Sequence, residues 1–183
     1  MNRKGFAGGI CIGLAALANM LAPHPVIGAI LFCFGLFAIL ANDFKLCTGM
    51  FGNCKSFKDW LNALGVLLGN YWGASLIGVF ALLCGWELPK VVVYDANLWT
   101  VLYKSILCGA MIHIGVKSYK NGHSLVMFLS VALFVLCGME HCVANTFLLL
   151  FSSTPDFLPA YGINIIGNAV GAKIMDWFME DKQ

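Results

Sequence analysis

Only two stretches of this chain combine residues that could do chemistry. The stretch Phe134–Phe147, FVLCGMEHCVANTF, sets Gly138, Glu140, His141 and Asn145 inside an otherwise apolar run. A second interruption, residues 42–49, brings in Asp43, Lys45 and Thr48. An imidazole can give or take a proton near neutral pH, and a threonine hydroxyl both donates and accepts hydrogen bonds. Together they suit transient hydrogen bonding to a small polar or charged species. A charged side chain near a bilayer centre costs at least about 2.5–3.5 kcal/mol, so an acid and a histidine inside a spanning segment mark a functional site. The competing reading is a helix ending at Gly138, with Glu140 and His141 in an ordinary loop. It fits poorly, because the apolar sequence resumes at once from Thr146 to Phe151.

The elements that must position these residues follow from composition. Of 183 residues, 60% are hydrophobic and 11% charged, against roughly a quarter charged in a soluble domain. The chain reads as an all-α membrane protein, a single transmembrane domain over residues 1–183 with room for six spans of about 20 residues. The net charge of +2 comes without a clustered basic face, which excludes nucleic acid as a partner. The eight cysteines include no Cys-x-x-Cys pair and mostly lie in apolar runs, where a free thiol behaves as a small hydrophobe. No metal, cofactor or disulfide framework is expected.

The first apolar run, Gly5 to Leu21, follows Arg3 and Lys4 in the manner of a secretory signal. Its small residues suit close helix packing instead, and its removal would leave an odd number of spans. A Pro-marked turn at 22–26 holds a solvated His24. Span two, from Val26 to Ala41, breaks over 42–49 and resumes weakly to Cys54. Span three fills Leu61 to Cys84, and span four runs from Leu98 to Val116 with Lys104 and His113 inside. Span five covers Ser124 to Ser153 with its interruption near 141, Pro155 and Asp156 turn the chain, and span six runs from Leu158 to Phe178. With a cytoplasmic N-terminus, the inner segments hold Arg3, Lys4, Lys55, Lys58, Lys117, Lys120, Lys173 and Lys182, and the outer connections only Lys90. This positive-inside bias places both termini in the cytoplasm of a cell-membrane protein. Lys45 and Lys104 belong to neither set, which makes them candidates for a pathway or its mouth.

The chain also repeats itself. GlyAsnTyrTrpGlyAla at 69–74 and GlyAsnAlaValGlyAla at 167–172 share Gly-Asn-x-x-Gly-Ala at an offset of 98 residues, and the two interruptions are offset by about 96. Two three-span halves, residues 5–84 and 98–178, are implied. Three spans reverse the membrane side, so the halves are inverted, with broken helices two and five pointing to a midplane site. Half-helices ending there would present N–H groups that favour anions. Phe32 and Leu36 share a helix face, while Leu46 precedes Thr48 and Phe134 precedes His141. A pore walled by these residues would be narrow and dry, with one titratable donor at its centre.

Leu46-Cys47-Thr48-Gly49, the segment Gly138 to Asn145 and the two Gly-Asn segments resemble the formate/nitrite transporter family, which includes hydrosulfide channels. The resemblance covers nearly the whole chain. It implies an aquaporin-like six-helix protomer, a homopentamer in the lipid bilayer, and a separate pore in each protomer for small monovalent anions. It further implies that Thr48 and His141 face each other at the pore centre, and that Phe32, Leu36, Leu46 and Phe134 form apolar constrictions on either side. The chain departs from the family pattern at three places: Gly109 stands where a polar pore-mouth residue is usual, Met50 replaces an asparagine, and Lys45 replaces an acid. No amphipathic N-terminal helix precedes the first span, so gating by such a segment is not expected.

The expected function is therefore a channel or transporter, not an enzyme, for formate, nitrite or hydrosulfide together with protons. Lys45, Lys90 and Lys104 would attract the anion at the vestibules, and Thr48 and His141 would meet it at the centre. His141 would share a proton, because a neutral acid sheds water far more cheaply than a charge. Glu140, Asn145, Asn70 and Asn168 would hold the broken helices in place, and His113 is a weaker candidate for lining the path. An aquaporin-like pore for a neutral solute would share the repeat but should show Asn-Pro-Ala in both breaks, which neither has. A membrane-bound redox or metal enzyme would need paired His and Cys ligands at helical spacing, and these are missing.

Overall fold

The computed structural model describes residues 2–88, 94, 95, 97–151 and 157–180, and these form helices and connections with no strand among the described residues. The helices are α1 (Arg3–Leu21), α2 (Pro25–Ala41), α3 (Cys47–Phe51), α4 (Phe57–Leu83), α5 (Leu98–Lys120), α6 (Ser124–Leu136), α7 (Cys142–Leu149) and α8 (Phe157–Met179). Among them α1, α4 and α5 are long and apolar enough to cross a membrane, and α2 and α6 are shorter apolar helices. Large side chains such as Leu68, Trp72, Tyr103 and Leu133 point outward. Lys90, Lys182, the end of span five at 152–153 and the Pro155-Asp156 turn lie outside the described residues.

Local signals set the helix ends. The Asn2 side chain accepts the Gly5 amide at 2.9 Å, and the exposed His24 ring accepts the Val26 amide at 3.2 Å with Pro25 opening α2. α4 begins at Phe57, four residues ahead of the apolar run, because Ser56 and Asp59 exchange hydrogen bonds in a capping box. α2 and α6 stop in the same way. Asp43 (φ 52°) and Gly138 (φ 60°) take the left-handed conformation, and the next residues fold back, Phe44 N–H to Ile39 O at 2.9 Å and Met139 N–H to Phe134 O at 3.0 Å. Both ends are Schellman stops. The chain then runs extended for a few residues before α3 or α7 resumes, so the first break spans 42–46 rather than the 42–49 expected; Thr48 stands at the start of the second half-helix, α3, as its place after the break implied.

α1 packs along α4, and α5 packs along α8. The approach is backbone to backbone. A Cβ at Gly9 would collide with the Asn70 carbonyl and one at Gly73 with that of Phe6; Gly109 and Gly171 stand in the same relation to the carbonyls of Asn168 and Ile106. Gly109 therefore belongs to a helix crossing. α2 lies against α1 and α6, with Cys33 Sγ donating to Phe128 O across the α2–α6 contact at 3.3 Å.

This packing generates a direct test. Gly171→Ala must push α5 and α8 apart, an overpacking cost of about 1–3 kcal/mol, whereas Gly65→Ala, with open space around its Cβ, should be neutral or stabilising by about 0.5–1 kcal/mol. Thermal unfolding in detergent should separate the two variants in that order.

Candidate functional site

The site is assembled where the two backbone breaks meet. A chain that leaves helical geometry inside a protein must satisfy its N–H and C=O groups by other means. Here two buried asparagines do so. Asn70 on α4 accepts the Cys47 amide at 2.9 Å through Oδ1, and its Nδ2 donates to Gly5 O at 2.6 Å and Lys45 O at 2.9 Å. Asn168 on α8 accepts the Cys142 amide at 3.0 Å and donates to Ser105 O at 2.9 Å and Glu140 O at 2.8 Å. Each asparagine thus ties three segments together: the helix after the break, the break itself and the long helix packed beside its own. The first amide of α3 and of α7 is consequently taken by a side chain.

Thr48 and His141 are brought face to face by these anchors, with Thr48 Oγ1 3.1 Å from His141 Nε2 and both residues buried. His141 also caps α7, its Nδ1 accepting the Ala144 amide at 3.3 Å. With Nδ1 accepting, a neutral ring carries its proton on Nε2, directed at Thr48. The Phe134 ring packs on His141 with centroids 5.8 Å apart, and Phe32 meets Phe134 edge to face at 5.8 Å. Glu140 is buried and accepts from Asn145 Nδ2 at 2.6 Å.

Two cavities flank the pair. One, of about 390 Å³, is walled by Leu36, Leu46, Gly49 and Met50 and rimmed by Lys45 and Lys120. The other, of about 320 Å³, is walled by Phe32, Phe134, His141 and Asn145, with Lys104 and Glu140 among its polar groups. Gly49 beside Thr48 faces the first cavity and His141 faces the second, so the Thr48–His141 contact joins one wall to the other. Of the expected vestibule lysines, Lys45 and Lys104 line different cavities and Lys90 lies outside the described residues. His113 lines neither; it is packed against Asp176 and Gly52. Sequence reasoning missed Lys120 and Asn19, which line the first and second cavity respectively. It also missed the ion pair of Lys4 with Asp43 at the break. None of these carries a sequence signal beyond its residue type.

No family model matches the chain. It is 24% identical over 205 residues to the formate channel FocA of Haemophilus influenzae, covering 88% of this chain and 71% of that protein. It is 28% identical over 178 residues to the formate channel FocA of Escherichia coli K12, covering 85% of this chain and 58% of the relative. The chain thus spans between 58% and 71% of the length of these curated relatives. Among solved structures, an FNT family ion channel superposes with a TM-score of 0.71 at 19% identity over 96% of this chain and 83% of its own. A pentameric formate channel with formate bound gives the same TM-score of 0.71 at 17% identity, over 96% of this chain and 91% of its own. The apolar helices and these relatives together make this a multi-pass membrane protein.

The asparagine anchors predict a graded effect. Asn168→Leu strands the Cys142 amide and the Glu140 carbonyl, costing roughly 1–3 kcal/mol for each buried group left unpaired. Faster hydrogen exchange at Cys142 together with a lower unfolding temperature is expected, and unchanged exchange there would show that the break is held by other contacts.

Proposed function

We infer that this chain, a divergent member of the formate/nitrite transporter family, carries small monovalent anions of weak acids, formate foremost, across a cell membrane. The observation that carries the reading is the Thr48–His141 contact of 3.1 Å placed between two cavities and enclosed by apolar side chains. The helices form two inverted halves, α1–α4 and α5–α8, that make six membrane crossings. Helices α2 with α3 and α6 with α7 are the broken ones. Both termini lie in the cytoplasm, from the lysine distribution; five copies assemble, the number in the pentameric formate channel that this chain resembles in fold, and each copy carries its own pore.

In this reading the anion enters a cavity bearing Lys45 and Lys120 on one side or Lys104 on the other. It then meets the apolar residues, Leu36 and Leu46 from one direction, Phe32 and Phe134 from the other. A bare charge pays heavily for losing water there, whereas a hydrogen-bonded or protonated acid pays far less. The Nε2–H of His141 and the hydroxyl of Thr48 are the donors that take the place of water at the narrowest point, and an anion that has taken up a proton from the solution passes between them as a neutral acid, hydrogen-bonded to both. Asn70 and Asn168 position these donors from outside the path, and Glu140 and Asn145, bonded to each other, hold the second break where it borders its cavity. Nitrite and hydrosulfide have the same charge and similar size, so the pore accepts them as competing cargo.

Flux of formate, nitrite and hydrosulfide into proteoliposomes, with internal pH recorded, tests this. His141→Ala should fold and assemble but lose proton-coupled flux. Thr48→Val should slow flux about tenfold, the equivalent of about 1.4 kcal/mol on the barrier. His141→Ala flux matching the wild type across about pH 5 to 8, where imidazole normally titrates, would remove the histidine from the mechanism.

A further inference from the structure

At one helix crossing away from the site the two halves differ chemically. On the first half, Gly13 of α1 leaves room that Ile77 of α4 occupies, and Gly78 of α4 leaves room taken by Phe147 of α7 and by Leu150 just after it. At the matching place on the second half, α5 carries His113, α8 carries Asp176, and the chain just after α3 offers Gly52. Gly78 faces Phe147 in the first half; in the second, where Asp176 stands in place of Gly78 and Gly52 in place of Phe147, it is His113, in place of Gly13, that packs against Gly52. A Cβ on Gly52 would strike the His113 ring. Filling space, however, requires no carboxylate. Asp176 is buried and lies 3.3 Å from His113 Nε2, yet neither ring nitrogen completes a hydrogen bond with a protein group among the described residues. Lys173, one turn before Asp176, donates to Gly52 O at 2.6 Å.

We propose that His113 and Asp176 form a proton-operated latch that positions α3, and through it the Thr48 hydroxyl. Neutral His113 wedges against Gly52 and makes only a loose contact with Asp176. A proton on the ring turns that contact into a charge-assisted hydrogen bond, draws the imidazole toward α8 and frees the end of α3. The other charges around the ring are Lys117 and Lys120 on α5 and Lys173 on α8; α3 and α6 bring none within their helices. Lys117 is committed to Met179 O at 2.6 Å, and Lys55 to Glu180 at 2.6 Å at the rim. Glu180, held below the usual carboxylate range by its bond to Lys55, stays charged over the range that matters. Asp176 is therefore the carboxylate placed to answer His113. Both act through Gly52 and not on the cargo, so they are positioning residues, and the consequence for flux rests on the function proposed above.

The test reads α3 directly. Hydrogen exchange of the Cys47–Phe51 amides is measured on the full chain in lipid nanodiscs at about pH 5.5 and 7.5, corrected for the intrinsic exchange rate, for the wild type, His113→Gln, Asp176→Asn and Glu180→Gln. Protection of α3 should fall roughly threefold or more at the lower pH in the wild type and Glu180→Gln, and stay flat in His113→Gln and in Asp176→Asn. If either isosteric variant fails to fold, the other still decides. Flat protection in the wild type, or the same pH response in the folded latch variants, overturns the proposal. A wild type that shows the response but conducts none of formate, nitrite or hydrosulfide would overturn the proposed function and leave the latch standing.

Discussion

A polypeptide that stops being helical inside an apolar protein has to find hydrogen-bond partners, and the rest of this structure depends on how that requirement is met. Asn70 and Asn168 each satisfy an amide and two carbonyls with a single side chain. An amide side chain is well matched to the task, because it offers an acceptor and two donors at one end of a short stem. Remove that provision and the first amides of α3 and α7 lose their partners, and the threonine and histidine beside them lose their common register.

The asparagines can reach because the long helices approach so closely. At Gly9 and Gly73 in one half, and Gly109 and Gly171 in the other, backbone meets backbone with no room for a side chain. Close crossing, side-chain anchoring and the left-handed stops at Asp43 and Gly138 form one connected solution that is used twice. Apolar residues then enclose the result: Leu36 and Leu46 belong to one cavity wall, Phe32 and Phe134 to the other. Where the two uses diverge, at Gly13 against His113 and Gly78 against Asp176, the second carries ionisable groups that packing alone would not call for.

Much of this was legible in the sequence, for physical reasons that can be named. Apolar runs located the helices because length and hydropathy dominate in a chain with so few charges. The interruptions at Asp43–Thr48 and Gly138–His141 stood out because polar groups there are costly. The helix start at Phe57 was misplaced because attention to apolar residues overlooked the capping box at Ser56 and Asp59, itself a readable signal. The first break was drawn too long because the partner of the Cys47 amide, Asn70, is remote in sequence. The packing demand at Gly109 was not legible, since the carbonyl that requires glycine belongs to another helix. Nothing in periodicity joins His113 to Asp176, and only the folded chain sets them 3.3 Å apart.

His141 closes one end of a helix with the same ring that faces Thr48. Its Nδ1 is engaged by the Ala144 amide, and its Nε2 alone looks toward the centre. Relay of a proton through an imidazole needs two working nitrogens, one to receive and one to release. A ring tethered in this way can donate a hydrogen bond from Nε2, but it has no second face through which to pass a proton onward. In the function proposed above it behaves as a turnstile attendant rather than a wire: a proton that crosses with an anion would travel on the anion itself, and an empty site would give hydrogen ions no road of their own.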